Sequence, residues 1–321
     1  MLRVIVSTIV LTLGVAPWHL WRSVAEGSSG SSQSVIDSQF NARVANAAYA
    51  RVHPRVLFDE AHSNADTAGG RYKPFVDLIT SDGYRVTPSK RALSASVLAG
   101  YQVLVIVNPS GPPDQREQPA FTSSECDAVR AWVSGGGSLL LIIDHLPFSA
   151  AASLLSNRLG VELTRGYVVD KLNHTPESED ETELLFSRDN GLLGEHAITR
   201  GRDGRERIKR IVSFSGTSLK GPAGSVAFLK LADSAVDILP PDRKQTSPED
   251  APPDHRQVSA AGRAQGVAMQ LGKGRVIVLG EAAMLTAQVT PHGLRFGMNA
   301  PGVDNRQLAL NVMHWLSSLL K

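Results

Sequence analysis

Several ionisable and polar residues follow directly on runs of buried aliphatics, and their types define the chemistry open to this chain. VLFDEAHSN at 56–64 ends an apolar run in Asp59 and Glu60, with His62 and Asn64 close behind. QVLVIV at 102–107 runs into Asn108 and Ser110, SLLLII at 138–143 into Asp144 and His145, and RVIVLG at 275–280 into Glu281. A carboxylate in such a position is partly desolvated and needs a hydrogen bond, a cation or a metal. Asp59, His62, Asp144 and His145 together offer hard oxygen and imidazole donors of the kind that hold Zn²⁺, Mn²⁺ or Fe²⁺. No HExxH-type spacing supports a divalent metal. The plainer alternative is that Asp59 and Asp144 cap the segments after them while the histidines bond backbone carbonyls. Asp59, His62, Asp144, His145 and Glu281 are the catalytic candidates. Glu60, Asn64, Asn108, Ser110, His292 and Asn299 are the ligand-binding candidates.

Other chemistries find less support. Ser110, Ser215 and Ser218 flank strand ends, but Gly-x-Ser-x-Gly is absent. Gly135–Gly137 ends a helical pattern and leads into a strand, the reverse of a phosphate loop. The single cysteine, Cys126, allows neither an internal disulfide nor a CxxC pair. A net charge of +2 gives no case for nucleic acid.

The elements that would position these residues alternate. From residue 55 to 160, short apolar runs are separated by amphipathic stretches, the pattern of βαβ units and a parallel sheet. Phe75, Leu78 and Ile79 mark one helix, closed by Gly83. Cys126, Val129, Trp132 and Val133 mark a second, opened by the capping box Thr122-Ser-Ser-Glu125. Leu308, Val312, Trp315 and Leu316 mark a last helix, for which Asp304 is the expected cap. Gly266–Leu271 and Arg275–Leu279 predict a hairpin about Gly272-Lys-Gly274. Stretches 161–170, 208–214 and 226–231 predict further strands, and 240–255 a surface loop. The segment holding His292 and Asn299 is a lid or pocket wall, or else a packed connection. The expected fold is an α/β three-layer αβα sandwich with a mainly parallel, flavodoxin-like sheet and an added hairpin. Ligands of such sheets bind outside the carboxyl ends of the strands.

The N-terminus points to export. A positive start precedes an apolar stretch from Val4 to Ala16, too short to span a bilayer comfortably and suited to a signal h-region. Residues 1–25 are expected to be a signal peptide, 26–50 a flexible linker and 51–321 the domain. The protein would then be periplasmic or secreted, and would meet a membrane only through an uncleaved anchor.

The segment VLFDEAHSN, together with PFVDLITSDGYRV at 74–86, FTSSECDAVRAWVSGGGSLLLIIDHLPF at 121–148, GKGRVIVLGEAAMLTAQ at 272–288 and DNRQLALNVMHWL at 304–316, resembles the class I glutamine amidotransferase-like superfamily. It is more similar to a bacterial branch related to gliding-motility and intraflagellar-transport domains. Catalytic members of the superfamily carry a Cys nucleophile at a sharp turn after a central strand. The corresponding turn here is Ile143-Asp144-His145, without a Cys. The resemblance therefore implies the fold without glutamine hydrolysis. Two functions follow: an envelope module binding a small molecule, glycan or protein, or an exported metal-assisted hydrolase.

Overall fold

The computed structural model describes residues 34–240 and 256–321. The expected signal peptide and the loop at 241–255 lie outside the described residues.

Apolar runs that need cover on both faces become the middle of one sheet. Its nine strands are β1 (Arg55–Asp59), β2 (Arg85–Ser89), β3 (Val103–Val107), β4 (Ser138–Ile142), β5 (Glu162–Leu163), β6 (Leu219–Lys220), β7 (Val226–Lys230), β8 (Ala264–Leu271) and β9 (Gly274–Leu279). Every residue of β3 and β4 is buried, as unbroken aliphatic strands between covering layers must be. The order is β2-β1-β3-β4-β9-β8-β6-β5, with β7 also pairing β8. The first five strands in this order are parallel. The remaining pairings are antiparallel. The parallel part has the flavodoxin-like order, whose switch point falls between β1 and β3.

Three helices set the layers: α1 (Lys73–Ser81), α2 (Ser123–Ser134) and α3 (Asn305–Leu316). Alternation along each strand divides the core in two. Val56, Phe58, Val103 and Val105 share a cluster with Phe75 and Leu78 of α1 and Leu308 and Val312 of α3. Leu57, Leu104, Ile106 and Leu139 face Cys126, Val129 and Val133 of α2. The period of two in the strands and near 3.6 in the helices thus produces the three layers.

Local signals explain the helix ends. Pro74 lies in the first turn of α1, where its missing N–H costs nothing. After α1, Gly83 turns the chain at φ 101°. A Cβ there would lie 2.1 Å from the Tyr49 carbonyl oxygen, so the position requires glycine. In α2 the capping box forms: Glu125 N–H donates to Thr122 Oγ1 at 3.3 Å, and Thr122 N–H to Glu125 Oε2 at 2.9 Å. Thr122→Ala is expected to cost about 1 kcal/mol, read as a lower denaturant midpoint at unchanged m-value; an unmoved midpoint would deny the cap its role. The hairpin also forms, with Leu271 opposite Gly274.

Other expectations are corrected. Asp304 does not cap α3 with its side chain. Its carboxylate accepts instead from Lys209 N–H and Arg210 N–H at 2.7 and 3.0 Å, tying the helix start to a neighbouring ribbon. The stretch 161–170 is not one strand. It gives β5 to the main sheet and Tyr167–Val169 to a small sheet with Val236–Ile238 and Gln257–Ser259. Arg210–Val212 leaves the main sheet to pair Leu185–Ser187. The expected linker at 26–50 is structured from residue 34: Val35–Ile36 pairs with Ala287–Val289, and Tyr49 donates to Ser317 at 2.6 Å. Period and propensity do not reveal such pairings between distant segments.

Candidate functional site

At the carboxyl end of β1, Asp59 is 1% exposed and His62 7%. His62 Nδ1 lies 2.9 Å from both Asp59 oxygens, and Nε2 lies 3.0 Å from Glu125 Oε1. Both ring nitrogens thus face carboxylates, an arrangement that favours the imidazolium. Burial opposes the charge on His62, but the Asp59 and Glu125 carboxylates outweigh it and raise its pKa. Burial likewise works against the Glu125 carboxylate. The Thr122 N–H and hydroxyl, His62 and the Leu93 N–H overcome it and hold Glu125 down to about 2. Glu125 therefore joins three segments: its own helix start, the loop at Leu93 and the loop after β1. The Phe121 ring packs on His62 at 4.3 Å.

A second cluster forms where β3, β4 and β9 end. Asn108 takes a left-handed backbone at φ 42°, which asparagine tolerates better than most residues. Its amide Nδ2 donates to Asp66 at 2.9 Å and to Asp144 at 3.1 Å, and its Oδ1 accepts the Asp144 N–H at 2.8 Å. Glu281 is fully buried and accepts from the N–H groups of Ala283 and Met284. The Tyr72 hydroxyl donates to the Ala282 carbonyl at 2.8 Å, and the charges of Asp66, Glu281 and Asp144 all act on that phenol. Burial raises the pKa of that phenol first, and the three carboxyl groups add to the rise.

Their electrostatics follow from burial and mutual repulsion. Burial pushes Asp144 up to about 6, against the pull of His145 and Asn108, and Asp66 adds to the rise. Burial and then the Asp144 charge push Glu281 well above the carboxylate range. Burial also raises Asp66. Asp144 and His145 are partly exposed, so the cluster reaches solvent there. The ring of His145 lies 6.2 Å from that of Tyr167. Gly216 bridges to Asp144, and a Cβ on it would fall 2.4 Å from the Gly280 oxygen and 2.5 Å from Glu281 Cβ. That backbone approach needs glycine. Beside it, Gln265 Nε2 is buried and has no hydrogen-bond partner, an orphaned donor of the kind a ligand or water completes.

The expected site residues therefore separate. Asp59, His62 and Asn64 form the first cluster, where Asn64 donates to Asp59 at 3.2 Å. Asn108, Asp144 and Glu281 form the second, with His145 at its mouth. Glu60 caps the Ala68 N–H at 3.0 Å, and the Ser110 N–H donates to the His62 carbonyl at 2.9 Å. His292 is exposed at the tip of the hairpin Ala287–Val289/Arg295–Gly297. Asn299 donates to Asp37 and to the Gln288 carbonyl, and these bonds hold the hairpin to the N-terminal strand. Asp59, His62, Asp144 and His145 do not converge as a metal set. Both nitrogens of His62 are taken by carboxylates, and among the described residues no three His, Cys, Asp or Glu side chains are placed to hold an ion. Cys126 is buried on the core face of α2, and burial raises its thiol to about 11, far from an activated thiolate. Asp66, Glu125 and Gln265 were not evident as site residues from sequence. Only the capping box marked Glu125, and it marked a helix start.

No family model and no curated protein matches the sequence. Solved structures do. The mmIFT52 N-terminal domain aligns over 82% of this chain and 97% of its own, at 18% identity and a TM-score of 0.57. A ThuA-like protein from Bacteroides uniformis covers 86% of this chain and 96% of its own, at 16% identity and a TM-score of 0.41. A GMP synthase-type protein from Thermoplasma acidophilum covers 84% and 96%, at 10% identity and a TM-score of 0.43. The likeness to the mmIFT52 domain is one of fold, and it spans nearly the whole of that domain: the chain has a flavodoxin-like α/β architecture shared with it.

Proposed function

We propose that this chain is an exported binding domain of the amidotransferase-like superfamily, without a thiol nucleophile, that takes a hydroxyl-rich small molecule or glycan of the cell envelope. The observation that carries this reading is the Asn108–Asp144 pair. The amide bonds the carboxylate and the backbone of Asp144 together, and the Ala282 N–H also holds the carboxylate, which pre-orients it at the strand ends in a partly exposed residue. The buried Gln265 Nε2, without a hydrogen-bond partner, adds a donor near it. Fixed acceptors interleaved with donors suit hydroxyl groups, and preorganisation limits the entropy lost on binding. The placement outside strand carboxyl ends agrees with the general rule for such sheets. Export rests on the N-terminal sequence.

A second reading has its own support. A carboxyl group with a pKa near 6 is suited to general acid–base work, and burial with the Asp144 charge raises the pKa of Glu281 beside it. That pair would serve hydrolysis. A metal-assisted version would require His62 to release both of its carboxylates.

The test is binding of the full chain to a panel of envelope glycans by saturation-transfer NMR, with Asp144→Ala beside the parent. A binding domain gives signal from the parent alone. Turnover of glycosides or esters, lost in Asp144→Ala and with a break in rate near pH 6, would favour hydrolysis. Equal signal from both proteins would remove Asp144 from the site.

A further inference from the structure

A cavity of about 500 Å³ opens at the other end of the sheet. It lies beside the β8–β9 turn, where Met269 pairs with Val276. At roughly 3.3 Å per residue, Val276 is about 16 Å along β9 from Glu281, so the cavity is separate from the strand-end cluster. Its size falls within the range of about 300–1,000 Å³ common to small-molecule pockets.

The lining divides into an apolar part and a cationic part. Trp315, Met269 and Val226 form the first, and Val226 is 37% exposed. Arg200 and Lys321 stand at the edge. Glu195, the acidic residue of the lining, is held by Arg188 at 2.6 Å. His196 lies between the two parts. Its Nδ1 accepts the Ile198 N–H at 3.2 Å, so the ring proton resides on Nε2. Burial, with the charges of Arg200 and Arg275, pushes its pKa down to about 4. His196 is therefore a neutral N–H donor with a fixed tautomer. Trp315 is held as well: its ring meets His196 edge-on at 5.0 Å. The Arg275 guanidinium lies 5.0 Å from the Trp315 ring centroid and donates to the Trp315 carbonyl.

We propose that this cavity binds a small organic anion with an aromatic or similarly flat apolar body. The body lies against Trp315, Val226 and Met269. The anionic head meets Arg200, Lys321 and the His196 Nε2–H, where charge-assisted bonds are the stronger kind. A neutral ligand would engage neither cation, and a simple inorganic anion would leave the apolar wall wet.

The probe is 8-anilinonaphthalene-1-sulfonate, titrated against the full chain, with uncharged N-phenyl-1-naphthylamine for comparison. The expected result is one sulfonate per chain, with quenching of Trp emission that disappears in Trp315→Phe. Val226→Glu and Arg200→Glu should each weaken binding at least tenfold, and the uncharged analogue should bind at least fivefold more weakly. Unchanged near-ultraviolet dichroism and melting establish that each variant is folded. Arg200→Glu, on the exposed edge, keeps the test alive if Val226→Glu unfolds. No saturable binding, or binding indifferent to Arg200→Glu in the folded protein, overturns the proposal.

Discussion

Replacing His62 with leucine is expected to destabilise the protein by about 3–5 kcal/mol, the cost of leaving buried carboxylates without their partner. For a chain of this size that is a fall of roughly 4–8 °C in melting temperature. Leucine keeps contact with Phe121, so lost packing contributes little. The pH dependence identifies the cause. The folded pKa of His62 is raised above 6.5. Its contribution is therefore full below pH 6.5 and is lost as pH climbs through the raised value. Glu125 is depressed from 4.5 to about 2. Its contribution is full above pH 4.5 and is lost as pH falls toward 2. The gap between parent and variant should be widest between pH 4.5 and 6.5 and narrow on either side. A loss below about 1 kcal/mol, or a gap independent of pH, would mean that Asp59 and Glu125 reach water on their own.

Asp144→Asn is expected to act in the opposite direction on stability. The folded pKa of Asp144 is raised from 3.8 to about 6, so the parent loses stability as pH rises across that interval. Asparagine can still accept from the Asn108 amide, and it removes the charge that presses on Glu281. The variant should exceed the parent by about 1–2 kcal/mol at pH 8, a common size for a stabilising substitution, and lose that advantage at pH 4. On the proposed function, its affinity for a glycan that binds the parent should fall 10–100-fold, since a charge-assisted bond contributes about 1.5–3 kcal/mol. Higher stability with lost binding is what a functional site under electrostatic strain gives. A variant that melts lower at pH 8 would show Asp144 to be a structural carboxylate.

The parallel half of the sheet was legible because β3 and β4 are unbroken aliphatic runs and because Cys126, Val129 and Val133 recur at helical spacing. The capping box at Thr122–Glu125 and the hairpin at Gly272 were legible because each motif is local. Much of the rest depended on distant partners. His62 meets Glu125 across 63 positions, and only the fold brings α2 beside the loop after β1. Asp66 reads as one more polar loop residue until Asn108 reaches it, 42 positions on. Asp59 and Asp144, grouped by type as metal donors, end different strands and engage different partners. His292 and Asn299, expected near a ligand, belong to a hairpin and its exit tied to Val35–Ile36. Residue type thus located the strand ends, while the tertiary pairing decided which carboxylates are satisfied and which remain open.

Whether the Asp144–Glu281 cluster is charge-strained and open for a ligand is tested most directly by a carboxyl carbon-13 NMR titration. It would follow the full chain from pH 3 to 9, with Asp144→Asn beside it. Asp144 is expected to titrate near pH 6, with Glu281 titrating well above the usual carboxylate range and its midpoint dropping in Asp144→Asn. Both groups fully ionised by pH 5, with Glu281 unmoved by the substitution, would contradict a strained cluster.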